Sequence, residues 1–289
     1  MRNGALSTAL AALLAATVLL LVSACSATTG STAPAPVSSA RMATPTPSPD
    51  AFPRRPLTPA TRYVALGDSF AAGMGGGGEY GKCRRSPKSY PDIFTRDTGV
   101  NLVVNAACAG ATTADLLKHQ LIALDDRTEL VTLSIGGNDL GVAAIAVDCA
   151  AGKAVACRNE LSSALSLLNV LPERLATVYN AVAEAAPNAR IVVTGYALLY
   201  DNSDEKAADF GMATAINAAT LGLNQTISDA VEKQDAAGLP LAYIGVDFTG
   251  HGIGSRTPWI SQSGPDAFHP TADGYGEYAR ELVRLLGRA

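Results

Sequence analysis

Short apolar runs recur along the chain and alternate with stretches of helical spacing. The first is Tyr63-Val64-Ala65-Leu66, which stops abruptly at Gly67-Asp68-Ser69. Runs at 100–105, 130–135, 191–195 and 241–247 have the same character, rich in Val, Ile and Leu and bounded by Gly, Asn or Asp. Near-continuous apolar runs of this kind predict strands buried on both faces. Helices are predicted at 90–98, 113–119, 160–186, 207–237 and 271–286. Thr112 or Thr113 can cap the second, Pro172 can split the third, and Gly238-Leu239-Pro240 stops the fourth. Strands alternating with helices predict a five-stranded parallel sheet covered on both faces, with function gathered at the carboxyl ends of the strands. Three of those ends carry distinctive polar sequence: Gly67-Asp68-Ser69, Asn105-Ala106-Ala107-Cys108-Ala109-Gly110 and Gly136-Gly137-Asn138-Asp139.

The N-terminus has a different pattern. Arg2 precedes a nearly unbroken Ala/Leu/Val segment at 5–22, and Ser23, Ala24 and Cys25 follow. That is the layout of a secretory signal. Val22-Ser23-Ala24-Cys25 resembles a bacterial lipobox, which implies that Cys25 becomes the lipidated first residue of the mature protein. Cleavage without lipid, or an uncleaved anchor, is the alternative. From Ser26 to Ala60 the chain carries eight of its sixteen prolines among Ser, Thr and Ala, too little apolar surface for a core. The expected organisation is a signal at 1–24, a tether at 25–60 and a folded domain at 61–289. The protein is then exported, either held as a lipoprotein on the outer face of the cell membrane or secreted.

Composition narrows the partners. Hydrophobic residues make up 48% and charged ones 17%, enough apolar area for a sizeable core. A net charge of -4 argues against nucleic acid. The local basic cluster of Lys82, Arg84, Arg85 and Lys88 reads as a solvated loop, with contact to anionic lipid or substrate as the alternative. Beyond Cys25 there are four cysteines, Cys83, Cys108, Cys149 and Cys157. In an exported chain they suggest two disulfides with three possible pairings. The favoured set is Cys83–Cys108 and Cys149–Cys157. The second closes a short loop, and the first ties the segment after Ser69 to the loop after the second strand. No cysteine pair has zinc-finger spacing.

A serine hydroxyl needs an adjacent base to act as a nucleophile, and the chain has only three histidines. His119 lies in a helical stretch away from any strand end. His251, with Asp247, sits in a Gly-rich loop and reads better as a plain loop histidine. His269 lies in Asp266-Ala267-Phe268-His269-Pro270, just before the last helix. Asp266 can accept from one ring nitrogen, leaving the other for Ser69. The amides of Ser69 and Gly110 and the side-chain amide of Asn138 are candidate oxyanion donors. Taken singly, each of these glycines is also ordinary turn chemistry. Asp68 and Asp139 are expected to support loop geometry.

Gly-Asp-Ser near the domain start, Gly110 in an Asn-x-x-x-x-Gly context, Gly-x-Asn-Asp and Asp-x-x-His near the end resemble the four blocks of the SGNH hydrolase (GDSL esterase/lipase) family. The likeness runs from Gly67 to His269 and is closest to the secreted actinobacterial branch. It implies a flavodoxin-like three-layer αβα sandwich and a serine esterase or lipase working through an acyl-enzyme, without cofactor or metal. Ser69 would be nucleophile, His269 base and Asp266 its orienter, with Ser69, Gly110 and Asn138 forming the oxyanion hole. Some members orient the histidine with a backbone carbonyl instead. The branch often carries a third disulfide, for which this chain lacks cysteines.

The expected partners are an ester substrate and, through the lipid anchor, a membrane; a monomer is expected. A carbohydrate or cell-wall O-acetyl esterase is the alternative activity. A non-catalytic surface-tethered binding lipoprotein is the alternative of another class, and none of the residues whose loss would signal it is missing. Gly73-x-Gly75-x-x-Gly78 matches a dinucleotide fingerprint, but no helix opens after it, so a loop shaping the substrate entrance is the better reading. A metal site on Asp247, His251, Asp266 and His269 is a weaker one. No Gly-x-Ser-x-Gly elbow occurs. Trp259 could line an acyl pocket or anchor a loop.

Overall fold

All five strands run parallel, in the order β2-β1-β3-β4-β5. They are β1 (Arg62–Gly67), β2 (Asn101–Asn105), β3 (Leu130–Ser134), β4 (Arg190–Thr194) and β5 (Leu241–Ile244). The structure, a computed structural model, describes residues 55–207 and 209–288. The expected signal, Cys25 and most of the tether lie outside the described residues. Ordered packing begins earlier than 61, because Leu57 is buried in the core and the Arg55 carbonyl accepts from the Arg190 guanidinium at 2.7 Å.

The helices are α1 (Ser69–Ala72), α2 (Tyr90–Thr98), α3 (Thr113–His119), α4 (Val142–Ala150), α5 (Ala154–Leu168), α6 (Leu171–Ala185), α7 (Phe210–Ala236) and α8 (Ala272–Leu286). From β1 the chain steps outward to β2, then crosses back to β3 and continues to β5. With right-handed crossovers, that reversal puts α2 and α8 on one face and α3, α6 and α7 on the other. The packing agrees: α2 lies against α8, and α6 against both α3 and α7. The result is the expected three-layer sandwich, and the switch point lies between β1 and β3. β3 and β4 are buried throughout, as their apolar runs require, whereas edge strand β2 leaves Val103 and Val104 exposed.

Local sequence explains most boundaries. Ser89 and Thr112 cap α2 and α3 through their side chains, and Gly99 ends α2 in the left-handed region. The expected helix at 160–186 is two helices. Pro172 sits in the first turn of α6, where its missing N–H leaves no hydrogen bond unmade. β5 stops at Ile244 rather than 247, and the Asp247 side chain instead accepts from the Thr249 amide at 2.8 Å. The α4–α5 hairpin is joined by Cys149–Cys157. Among the described residues no helix is long and apolar enough to cross a membrane.

Candidate active site

β1 and β3 close tightly at their carboxyl ends. A Cβ on Gly67 would stand 2.2 Å from the Ser134 carbonyl oxygen, so only glycine fits, and its φ of +132° is a glycine conformation as well. The Gly67 peptide is clasped by the Gln120 side chain, which donates to its carbonyl and accepts from its N–H, both at 2.8 Å. Asp68 then caps α1, accepting from the Phe70 amide at 2.9 Å. Ser69 is therefore the first residue of a helix at the switch point. Its own N–H has no acceptor among the described residues.

His269 approaches from the turn before α8, and its Nε2 lies 2.8 Å from Ser69 Oγ. Its Nδ1 lies 3.0 Å from the Ala267 carbonyl oxygen. A carbonyl can only accept, so Nδ1 carries the hydrogen and Nε2 is left as an acceptor facing the serine hydroxyl. Burial holds the His269 pKa below the usual 6.5, against the opposing pull of the Ala267 and Asp266 carbonyls and the Asp266 charge. The ring is therefore neutral near pH 7. Gly75 backs it closely, since a Cβ there would meet His269 Cβ at 3.2 Å and the Pro270 carbonyl at 2.7 Å.

The expected contact from Asp266 to His269 is replaced. The Asp266 carboxylate is paired with the Arg84 guanidinium, which also donates to the Pro265 carbonyl at 3.2 Å. The group at Nδ1 is a backbone oxygen, invisible to a search for acidic side chains. His251 stacks on Trp259 with ring centroids 3.6 Å apart, and its Nδ1 meets the Thr257 carbonyl at 2.8 Å, so both residues anchor a loop, and neither lines the cavity that Ser69 and His269 share. His119 is exposed at the end of α3. Among the described residues no three His, Cys, Asp or Glu side chains gather as a metal site.

The other two strand-end blocks are tied to the first. Asn105 donates to the Ala71 carbonyl at 2.9 Å, the Cys108 amide donates to the Gly67 carbonyl at 3.0 Å, and Cys83–Cys108 ties the start of the loop carrying Gly110 to the segment after Ser69. Asn138 Nδ2 donates to the Ala111 carbonyl at 2.9 Å, which leaves its second N–H free to turn elsewhere. Asp139 accepts from the Thr113 amide and hydroxyl at 2.9 and 2.6 Å, so it does hold the loop geometry expected of it. Asn138 lines the same cavity as Ser69 and His269, whereas Gly110 borders a neighbouring depression beside the disulfide.

That shared cavity is about 260 Å³ and mostly apolar, walled by Phe70, Met74, Val142, Leu199, Leu223 and Phe268. Tyr196, at the end of β4, forms part of it. Its hydroxyl donates to Asp68 at 2.5 Å and accepts from the Gly137 amide at 3.0 Å. Burial raises the Asp68 pKa to about 7, although bonds from Tyr196 and the Phe70 amide favour the charged form. In the glycine loop, Glu79 accepts from the Gly75 and Gly77 amides at 2.9 and 3.0 Å, so the chain's own carboxylate takes the donors a dinucleotide phosphate would need.

Residues 65–276 match the model of the GDSL-like lipase/acylhydrolase family. The chain belongs to that family. Lipase 1 of Streptomyces coelicolor is 34% identical over 227 residues, covering 74% of this chain and 82% of the relative. A lipase of Streptomyces rimosus is 36% identical over 230 residues, covering 76% and 84%. Among solved structures, the extracellular lipase from Streptomyces rimosus aligns with a TM-score of 0.71 at 35% identity, covering 78% of this chain and 99% of that one. Phospholipase A1 from Streptomyces albidoflavus NA297 aligns at 0.69 with 38% identity and the same coverage. The protein is a serine-type carboxylic ester hydrolase, like the family to which it belongs.

Proposed function

We propose that the chain is an exported lipid acyl-ester hydrolase working through a Ser69–His269 dyad. The observation that carries the reading is the 2.8 Å approach of His269 Nε2 to Ser69 Oγ, made at the wall of an apolar cavity. Ser69 Oγ attacks the ester carbonyl carbon as its proton passes to His269 Nε2. The negative charge that develops on the carbonyl oxygen meets the Ser69 and Gly110 amides and the free N–H of Asn138. The C–O bond to the alcohol breaks, His269 protonates the departing oxygen, and the acyl group stays on Ser69. Water then attacks the acyl carbon as its proton passes to His269, the bond to Ser69 Oγ breaks, and His269 returns the proton to Oγ as the acid leaves. Throughout, the Ala267 carbonyl holds the Nδ1 hydrogen and favours the imidazolium that forms.

The cavity supports a substrate with an extended acyl chain, because an acetyl group would leave most of it empty. Val142 and Val147 line it from α4 and are themselves exposed, extending the apolar lining toward solvent. The relatives named as lipases and as a phospholipase A1 support the same substrate class. Export is supported by the leader-like segment at 5–25, by two disulfides and by the extracellular S. rimosus relative. Lipidation of Cys25 follows from the same segment. One chain supplies every residue of the site, so a monomer suffices. The test is an ester series from acetate to long-chain acyl groups with the full chain in mild detergent. kcat/KM rising with chain length supports the reading; a maximum at acetate with no turnover of long chains favours an O-acetyl esterase.

A further inference from the structure

The carbonyl that orients His269 sits in a turn that does not hold itself firmly. Phe268 has φ +67°, a left-handed conformation costly for a bulky residue, and the bonds inside the turn, Ala267 N–H to Gly264 and His269 N–H to Asp266, are 3.2 Å. Its far end is pinned by Ser261, which exchanges 2.8 Å bonds with Phe268 and His269. Its near end, Pro265 and Asp266, is gripped by Arg84. Arg84 is itself built in. It lies in a tight hairpin where Tyr80 and Arg85 exchange backbone bonds, beside Cys83, which is bridged to Cys108. Arg85 Nε donates to the Ala107 carbonyl at 2.9 Å, and the Ala109 amide to the Cys83 carbonyl at 3.0 Å. The base of the hairpin is thus the loop that carries Gly110.

We infer that Arg84 is a positioning residue for His269, latching the Asp266–Ala267 turn to the disulfide-bound Gly110 loop so that the Ala267 carbonyl stays on Nδ1. This rests on the dyad reading. A pair exposed by about a third, at 32% and 29%, contributes little to stability. Its consequence falls on orientation. The latch also gives Asp266 a part in catalysis without contact with the histidine ring.

The test uses Arg84→Ala, Arg84→Lys and Asp266→Asn in the full chain, with Ser69→Ala as control and circular dichroism to establish folding. The latch predicts that kcat on a soluble ester falls about 10- to 100-fold in Arg84→Ala and Asp266→Asn while KM changes little, the cost typical of a displaced catalytic group. Arg84→Lys, keeping a charge but not the two-pronged grip, should fall between. The charges bearing on the ring are Asp266, which favours its protonation, and Arg84, which opposes it. The acid limb of kcat/KM should therefore move up in pH in Arg84→Ala and down in Asp266→Asn, although kcat falls in both. Pairing Arg84→Asp with Asp266→Arg should restore part of the loss. Wild-type kcat in Arg84→Ala overturns the latch, and if Asp266→Asn alone is impaired, the carboxylate acts directly on His269. Should Arg84→Ala misfold, the isosteric Asp266→Asn with the swapped pair decides. An active Ser69→Ala overturns the dyad instead; a dead one beside unimpaired latch variants overturns only the latch.

Discussion

The Tyr196 hydroxyl donates to the Asp68 carboxylate at 2.5 Å, directly under the strand end that carries Ser69. Three strand ends meet through this pair: β1 through Asp68, β3 through the Gly137 amide that Tyr196 accepts, and β4 through Tyr196 itself. A carboxylate this deeply buried titrates near neutrality, at about 7 against an ordinary 3.8.

Stability should carry that signature. The folded protein binds the Asp68 proton more tightly than the unfolded chain does. The resulting stabilisation is fully present below pH 3.8, declines as pH rises toward 7 and is lost above it. Asp68→Asn removes the titration. The melting temperature of the wild type relative to Asp68→Asn is expected to fall by several degrees between pH 4.5 and 8, since 1 kcal/mol moves a domain of this size by about 2–4 °C. A gap constant across that range contradicts the assignment.

His269 shifts the opposite way, and its effect appears in activity. As the proposed base, His269 works only when neutral, and burial lowers its pKa. The acid limb of kcat/KM against pH should have its midpoint below 6.5, read with a soluble ester whose own ionisation does not interfere. A midpoint above 6.5 would mean that a partner charge, rather than burial, governs the ring.

The strand ends were legible because three of them stop apolar runs with Gly, Asn and Asp, and β2 through β4 fall within a residue of expectation. Ser69, Asn138 and His269 could be singled out because each puts a nucleophilic, donor or basic side chain at a strand end or a helix start, and the chain has only three histidines. The orienter could not. Ala267 meets Nδ1 through its backbone, which leaves no trace in residue identity, so the residues alone point to the Asp266 carboxylate and only the family resemblance offers a backbone carbonyl as the alternative. Arg84 was hidden for a different reason: within a basic cluster, only the folded chain distinguishes Arg84, paired with Asp266, and Arg85, bonded to the Ala107 carbonyl, from the exposed Lys82 and Lys88. The apolar wall was equally obscure, since Leu199, Thr220 and Leu223 come from a loop and from α7, far from any motif.

Asn138 offers a further test of the oxyanion site. Asn138→Ala removes one donor and the bond to the Ala111 carbonyl. Loss of one oxyanion donor typically costs about 10²- to 10³-fold in kcat. Steady-state kinetics on a correctly folded Asn138→Ala variant should show kcat down by that order with KM nearly unchanged. An unaltered kcat removes Asn138 from the oxyanion site.

The central claim is that Ser69 forms the acyl-enzyme with His269 as its base. The most direct measurement is peptide mass spectrometry after reaction with a fluorophosphonate. A single adduct is expected, on the peptide carrying Ser69, absent in Ser69→Ala and formed far more slowly in His269→Ala. An adduct on another residue, or undiminished labelling of Ser69→Ala, would contradict it.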